Sequence, residues 1–123
     1  MKIPHIGDAE LQVMQVLWKA EEPLSTAQIN EAVKEYGWKR TTVSTFLVRL
    51  TEKGAVRTEK RGVQYYYRPL ITQEAYRRAQ TGALVHSLFD GSVTALAASL
   101  FEDLSLTPSD VEELQEILRR SAR

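Results

Sequence analysis

Cysteine is missing from this sequence, and its two histidines, His5 and His86, stand far apart. Without cysteine there is no disulfide and no thiolate metal site. Two isolated histidines and no HExxH run offer neither a metal centre nor a nucleophile–base pair. The carboxylates gather at Glu102-Asp103 and between Asp110 and Glu116, where helix capping and solvated faces account for them. No enzyme, cofactor or metal is expected. No apolar run approaches the ~20 residues of a membrane-spanning helix. The first seven residues lack the basic-then-apolar pattern of a signal peptide. A cytoplasmic location is therefore expected. Net charge is missing too: sixteen Lys/Arg balance sixteen Asp/Glu, so overall composition gives no hint of a polyanionic partner.

The charge that is present is unevenly placed. Residues 1–71 hold eleven Lys/Arg against eight Asp/Glu, a net +3, and residues 72–123 hold five against eight, a net −3. Between Trp38 and Pro69 the basic residues are Lys39, Arg40, Arg49, Lys53, Arg57, Lys60, Arg61 and Arg68, opposed only by Glu52 and Glu59, for a net +6. A local field of that sign attracts a polyanion although the molecule is neutral.

Periodicity divides the chain into elements. Asp8 is expected to cap a helix to about Ala20 with Leu11, Met14, Leu17 and Trp18 on one face. Glu21-Glu22-Pro23 ends it. Leu24 reads as a short extended contact, and Ser25 with Gln28 as a capping box that opens a second helix to about Tyr36. Gly37 stops that helix. A third helix follows, from about Arg40 to Lys53. Val43, Phe46, Leu47 and Leu50 face a core, while Thr41, Thr45 and Val48 lie opposite, flanked by Ser44 and Arg49. An outer face so poor in long charged side chains suits a backbone that must approach bases. Ala55–Arg61 and Val63–Arg68 read as two strands turning near Arg61-Gly62.

From Thr72 onward the pattern is helical only. Thr72, Ser92 and Thr107 are the expected caps, with Asp90-Gly91 as a break and Pro108 opening the last helix. The fold class expected is mostly α with a small β-hairpin wing: an N-terminal winged helix-turn-helix at 1–71 and a C-terminal three-helix dimerisation region at 72–123. The latter is too short to bury a satisfactory core alone. Two copies are expected to pack through Tyr76, Val85, Leu88, Phe89, Val93, Leu96, Leu100, Phe101, Val111, Leu114, Ile117 and Leu118.

A winged helix places its third helix in the major groove, N-terminal residues nearest the bases. Arg40, Thr41, Ser44 and Thr45 are the candidate base readers. Lys39, Arg49, Lys53, Lys60 and Arg61 are the candidate phosphate contacts, which orient rather than specify. Two other readings compete. One is a winged helix used purely for protein contact, which predicts no salt-dependent DNA affinity. The other is a regulator gated by a small ligand held among Trp18, Trp38 and the tyrosines.

Four segments carry a family resemblance: KIPHIGDAELQVMQVLWK, WKRTTVSTFLVRLTEKGAV, RGVQYYYRP and GSVTALAASLFEDLSLTPSDVEELQEIL. Together, with the spacing between them, they resemble the BlaI/MecI family of penicillinase repressors over nearly the whole chain. The resemblance implies a homodimeric repressor of β-lactamase or related cell-wall-stress genes, bound to a palindromic operator. It implies inactivation by a C-terminal cut that follows a signal from a membrane sensor with a metalloprotease domain. Aligned without a gap from VEELQEIL, the family's Asn–Phe switch bond falls on Ser99–Leu100, with no asparagine there. The absence of cysteine leaves out the copper chemistry of one branch of the family.

Overall fold

The Ser25 and Gln28 side chains interlock with each other's backbone, and that box fixes where the chain turns from extended to helical. The computed structural model describes residues 2–122; Met1 and Arg123, the outer ends of the expected two-part division, lie outside the described residues. Helix α1 covers Asp8–Lys19, a short strand β1 Leu24–Ser25, and helix α2 Thr26–Ala32, followed by a 3-10 turn at Lys34–Tyr36. Helix α3 is Arg40–Glu52, strands β2 and β3 are Val56–Arg61 and Gln64–Pro69, and helices α4, α5 and α6 are Gln73–Phe89, Val93–Asp103 and Pro108–Ser121.

Three expectations about the first half are corrected. Gly7, not Asp8, is the cap of α1: its N–H donates to Glu10 Oε1 at 3.3 Å, and Asp8 becomes the first helical residue, where its charge still favours the helix dipole. The second helix does not run on to Tyr36; it tightens after Ala32 into the 3-10 turn, and Gly37 at φ 69 takes the left-handed stop. Leu24 is more than an extended contact. β1 pairs antiparallel with β3, Leu24 opposite Tyr67, so the wing is a three-stranded sheet of order β1-β3-β2. Gly62, at φ 64, makes the tight β2–β3 turn with Val63 between the paired Arg61 and Gln64.

Two compact units divide between Gln80 and Thr81, inside α4. The first has one core. Val13, Met14 and Leu17 of α1 meet Ile29 and Val33, Val43, Leu47 and Leu50 of α3, and Ala55 and Val56 at the start of the sheet. The first turns of α4 belong here because Tyr76 is buried in that core. Its hydroxyl accepts from Ile6 N–H at 3.1 Å and donates to Ile6 O at 3.3 Å. Trp18 donates from Nε1 to Ile71 O at 2.9 Å and lies 5.9 Å from the Tyr76 ring. Tyr76 is therefore a core residue of the first unit and not part of a dimer face.

The second unit is capped as its sequence expects. Ser92 Oγ accepts from Ala95 N–H and Thr107 Oγ1 from Asp110 N–H. No residue of α5 or α6 is buried. Leu88 and Val93 are each 69% exposed and Leu118 66%. Leu100, Phe101 and Ile117 are exposed, and Val85, Phe89, Leu96, Val111 and Leu114 are half-buried. No single helix among the described residues is long and apolar enough to cross a membrane.

Candidate nucleic-acid interface

Helix α3 owes its position to its two ends and its apolar stripe. At the entrance, Trp38 stacks on Tyr36 with centroids 4.7 Å apart and meets the Phe46 ring edge-on at 5.1 Å. That cluster fixes the turn feeding α3. Lys39 is the cap residue and makes no side-chain cap hydrogen bond, so the first N–H groups of the helix stay open to an anion. At the far end Thr51 Oγ1 donates to Leu47 O at 2.7 Å and lies 3.0 Å from Thr58 Oγ1, tying α3 to the wing.

Between these anchors Thr41, Ser44, Thr45, Val48 and Arg49 are exposed, together with Lys39 and Arg40. Thr45 donates its hydroxyl proton to Thr41 O at 3.0 Å. Towards a base it therefore offers only an acceptor lone pair and a methyl group, which suits the amino groups of adenine or cytosine and the thymine methyl. Ser44 has no such commitment and can donate or accept.

The wing sorts its charges by face. Glu59, Arg61 and Arg68 lie on one face, where Glu59 is 3.2 Å from both Arg61 and Arg68. The hydrogen bond from Arg61 leads in holding the Glu59 carboxyl below its ordinary value. Arg61 also lies over the Tyr66 ring at 4.6 Å. These are exposed contacts worth little on their own, so a phosphate can compete for Arg61. Lys60 is on the other face, 5.8 Å from the Tyr65 ring centroid.

Lys53 is the one expected phosphate contact that the structure places elsewhere. It forms an ion pair with the buried Glu10 of α1, Nζ to Oε1 at 2.5 Å. Burial opposes the Glu10 charge, but the Lys53 hydrogen bond and the Gly7 N–H outweigh it, so this carboxyl too sits below its ordinary value. A carboxyl so held stabilises the fold while ionised. That contribution is complete above the ordinary value of 4.5 and is lost as the pH falls through the lower folded value. Lys53→Met, which strands a buried charge, should cost about 2 kcal/mol at neutral pH, with the deficit shrinking in acid as Glu10 takes up a proton. Thermal melts between pH 3 and 7 would check this; an unmoved midpoint at pH 7 would return Lys53 to the phosphate set.

Of the aromatics offered as a ligand pocket, Trp38 packs between Tyr36 and Phe46 and Trp18 on Ile71 and Tyr76, while Tyr65 and Tyr67 line an open concavity beside α3. Among the described residues no three His, Cys, Asp or Glu side chains are grouped to hold a metal. The Ser99–Leu100 bond lies inside α5, with Ser99 Oγ donating to Asp103 Oδ2 at 2.8 Å. Asn30 and Gln64, not singled out in the sequence, stand beside Arg40 and Ser44. They come from α2 and β3, so no single-element period connects them to α3.

A tight helix pair, a hydroxyl-faced third helix and a basic hairpin beside it define a winged helix-turn-helix head of the DNA-binding kind. The penicillinase repressor family matches residues 6–120. A penicillinase repressor of Bacillus licheniformis is 32% identical over 117 residues, spanning 95% of this chain and 91% of that protein. The solved DNA-binding domain of the repressor BlaI superposes with a TM-score of 0.55 at 41% identity, covering 61% of this chain and 92% of that one. The Bacillus licheniformis BlaI monomer in complex with the blaP half-operator gives 0.53 at 38%, with the same coverage of 61% and 92%. The chain belongs to the penicillinase repressor family and is a DNA-binding transcriptional repressor, not an enzyme.

Proposed function

We propose that this chain acts in the cytoplasm as a homodimer on a palindromic operator, repressing β-lactamase or related cell-wall-stress genes. The observation that carries the reading is the exposed face of the first turns of α3, where Thr41, Ser44 and Thr45 stand between Lys39, Arg40 and Arg49 and the first turn holds no acidic residue. Arg40, Thr41, Ser44 and Thr45 read base edges, and Lys39, Arg49, Lys60 and Arg61 hold phosphates. Pairing of the heads rests on the second unit, whose helices leave Leu88, Val93, Phe101 and Leu118 uncovered in one copy. An apolar surface of that kind on so small a unit is what a second copy would bury. The heads would be released by a cut at Ser99–Leu100 made in response to a membrane sensor metalloprotease.

Footprinting on the chain's own upstream region tests the central claim. The expected result is two protected half-sites on a two-fold palindrome, spaced by about one helical turn or a small multiple. Arg61→Ala should weaken binding to all sequences alike, while Thr45→Ala should change the ranking of sequences. Protection without dyad symmetry would remove the paired-head geometry.

A further inference from the structure

We propose that Tyr76 is a positioning residue: by holding the first turn of α4 to the N-terminal arm, its hydroxyl sets the half-site spacing that paired heads can span. This rests on the paired-head reading and deepens it, from a dimer that binds a palindrome to one that measures the distance between its halves.

Among the described residues of α4, Tyr76 is the one that is buried. Its hydroxyl accepts from Ile6 N–H at 3.1 Å and donates to Ile6 O at 3.3 Å. One hydroxyl thus satisfies both backbone groups of a buried residue 70 positions away. Ile6 directly precedes Gly7, the cap of α1. Val13, Met14 and Leu17 of α1 share a core with Val43, Leu47 and Leu50 of α3. A continuous path of buried contacts therefore joins the DNA-facing helix to the start of α4.

The entrance of α4 is pinned separately. Leu70 N–H donates to Ala55 O at 2.8 Å, and Trp18 Nε1 to Ile71 O at 2.9 Å. A helix held only at its entrance can pivot there. A second hold one turn further on removes that freedom, and Tyr76 stands one turn past the Thr72 cap. Residues 77–89 of the helix extend ~20 Å beyond it. A pivot of about 10° would carry the far end by about 3.5 Å, close to the ~3.4 Å rise of one base pair. The division between the two units falls inside this helix, so the hold on its first turns governs where a second head can reach. A tether adds affinity only where its geometry lets both heads engage at once.

The test places two footprinted half-sites on synthetic duplexes, changes the spacer one base pair at a time, and follows binding of the full chain by fluorescence anisotropy. The wild type should favour one spacing by about ten-fold over those one base pair longer or shorter. Tyr76→Phe keeps the ring in the core and removes both bonds to Ile6. It should reduce that preference to about three-fold or less, with single half-site affinity unchanged. Gly82 lies on the same helix with room for a Cβ, so Gly82→Ala stiffens the helix, and Tyr76→Phe should still relax the spacing in that background. If Tyr76→Phe does not fold, Trp18→Phe, which frees Ile71 O at the same entrance, is read in the same way. Equal weakening at every spacing would make the Tyr76 bonds structural only and overturn the inference. A sharper preference in Gly82→Ala beside a wild-type preference in Tyr76→Phe would move the control to the middle of α4 and overturn it too. A wild type that binds DNA with no gain from a second half-site at any spacing would instead remove the paired-head reading beneath it.

Discussion

Operator affinity should fall by about 10³–10⁵-fold as salt rises from 50 to 200 mM. The expectation comes from where the cations stand. Lys39, Arg40 and Arg49 flank α3, and Lys60 and Arg61 stand on the wing. Lys53 is excluded because Glu10 already neutralises it, and Arg61 contributes only to the extent that phosphate displaces Glu59. Roughly four phosphates per head, or about eight for paired heads, give a log–log slope near −7. Anisotropy titrations at four or five salt concentrations measure it. Lys39→Ala should make the slope shallower by about one for each head. A slope near zero would favour the reading in which the winged helix contacts protein only.

Leu88→Asp should leave the chain monomeric and weaken binding to the full operator by about 10²–10⁴-fold, with half-site affinity unchanged. Leu88 is 69% exposed, on the helix that carries the chain out of the head, and nothing in one copy covers it. A carboxylate there has little effect on the head and opposes burial against a second copy. The loss is large because tethering makes the second head's binding intramolecular, and the tether adds effective concentration without any new DNA contact. Sedimentation and anisotropy on whole and half operators separate the two effects. A cut at Ser99–Leu100 should have the same consequence by removing most of the exposed apolar surface of α5 and α6. Mass spectrometry of the protein from cells given a β-lactam tests that bond; intact protein during derepression would remove it from the switch.

Helix positions were legible in the sequence because each helix shows its burial face to a neighbour three or four residues away. Ser25, Ser92 and Thr107 declare their helices through hydrogen bonds made within three residues. The third helix, with Val43, Leu47 and Leu50 inward and hydroxyls outward, reads in the same way. Long-range partners do not. Glu10 and Lys53 are 43 positions apart, and nothing local marks Lys53 as occupied. Tyr76 has an ordinary helical spacing, and only the return of the N-terminal arm to its hydroxyl makes it part of the first core.

By itself the sequence determined the succession of helices and the hairpin, the caps at Ser25, Thr72, Ser92 and Thr107, the hydroxyl face of α3 and the concentration of positive charge from Trp38 to Pro69. All of these are consequences of bonds and periods closed within a turn or a hairpin. The tertiary structure alone decided which of those charges remain free, where the head ends along α4, that β1 completes the sheet, and that Asn30, Ser44 and Tyr65 meet along one cleft. Those outcomes depend on elements brought together across tens of residues, where distance in space is independent of distance along the chain.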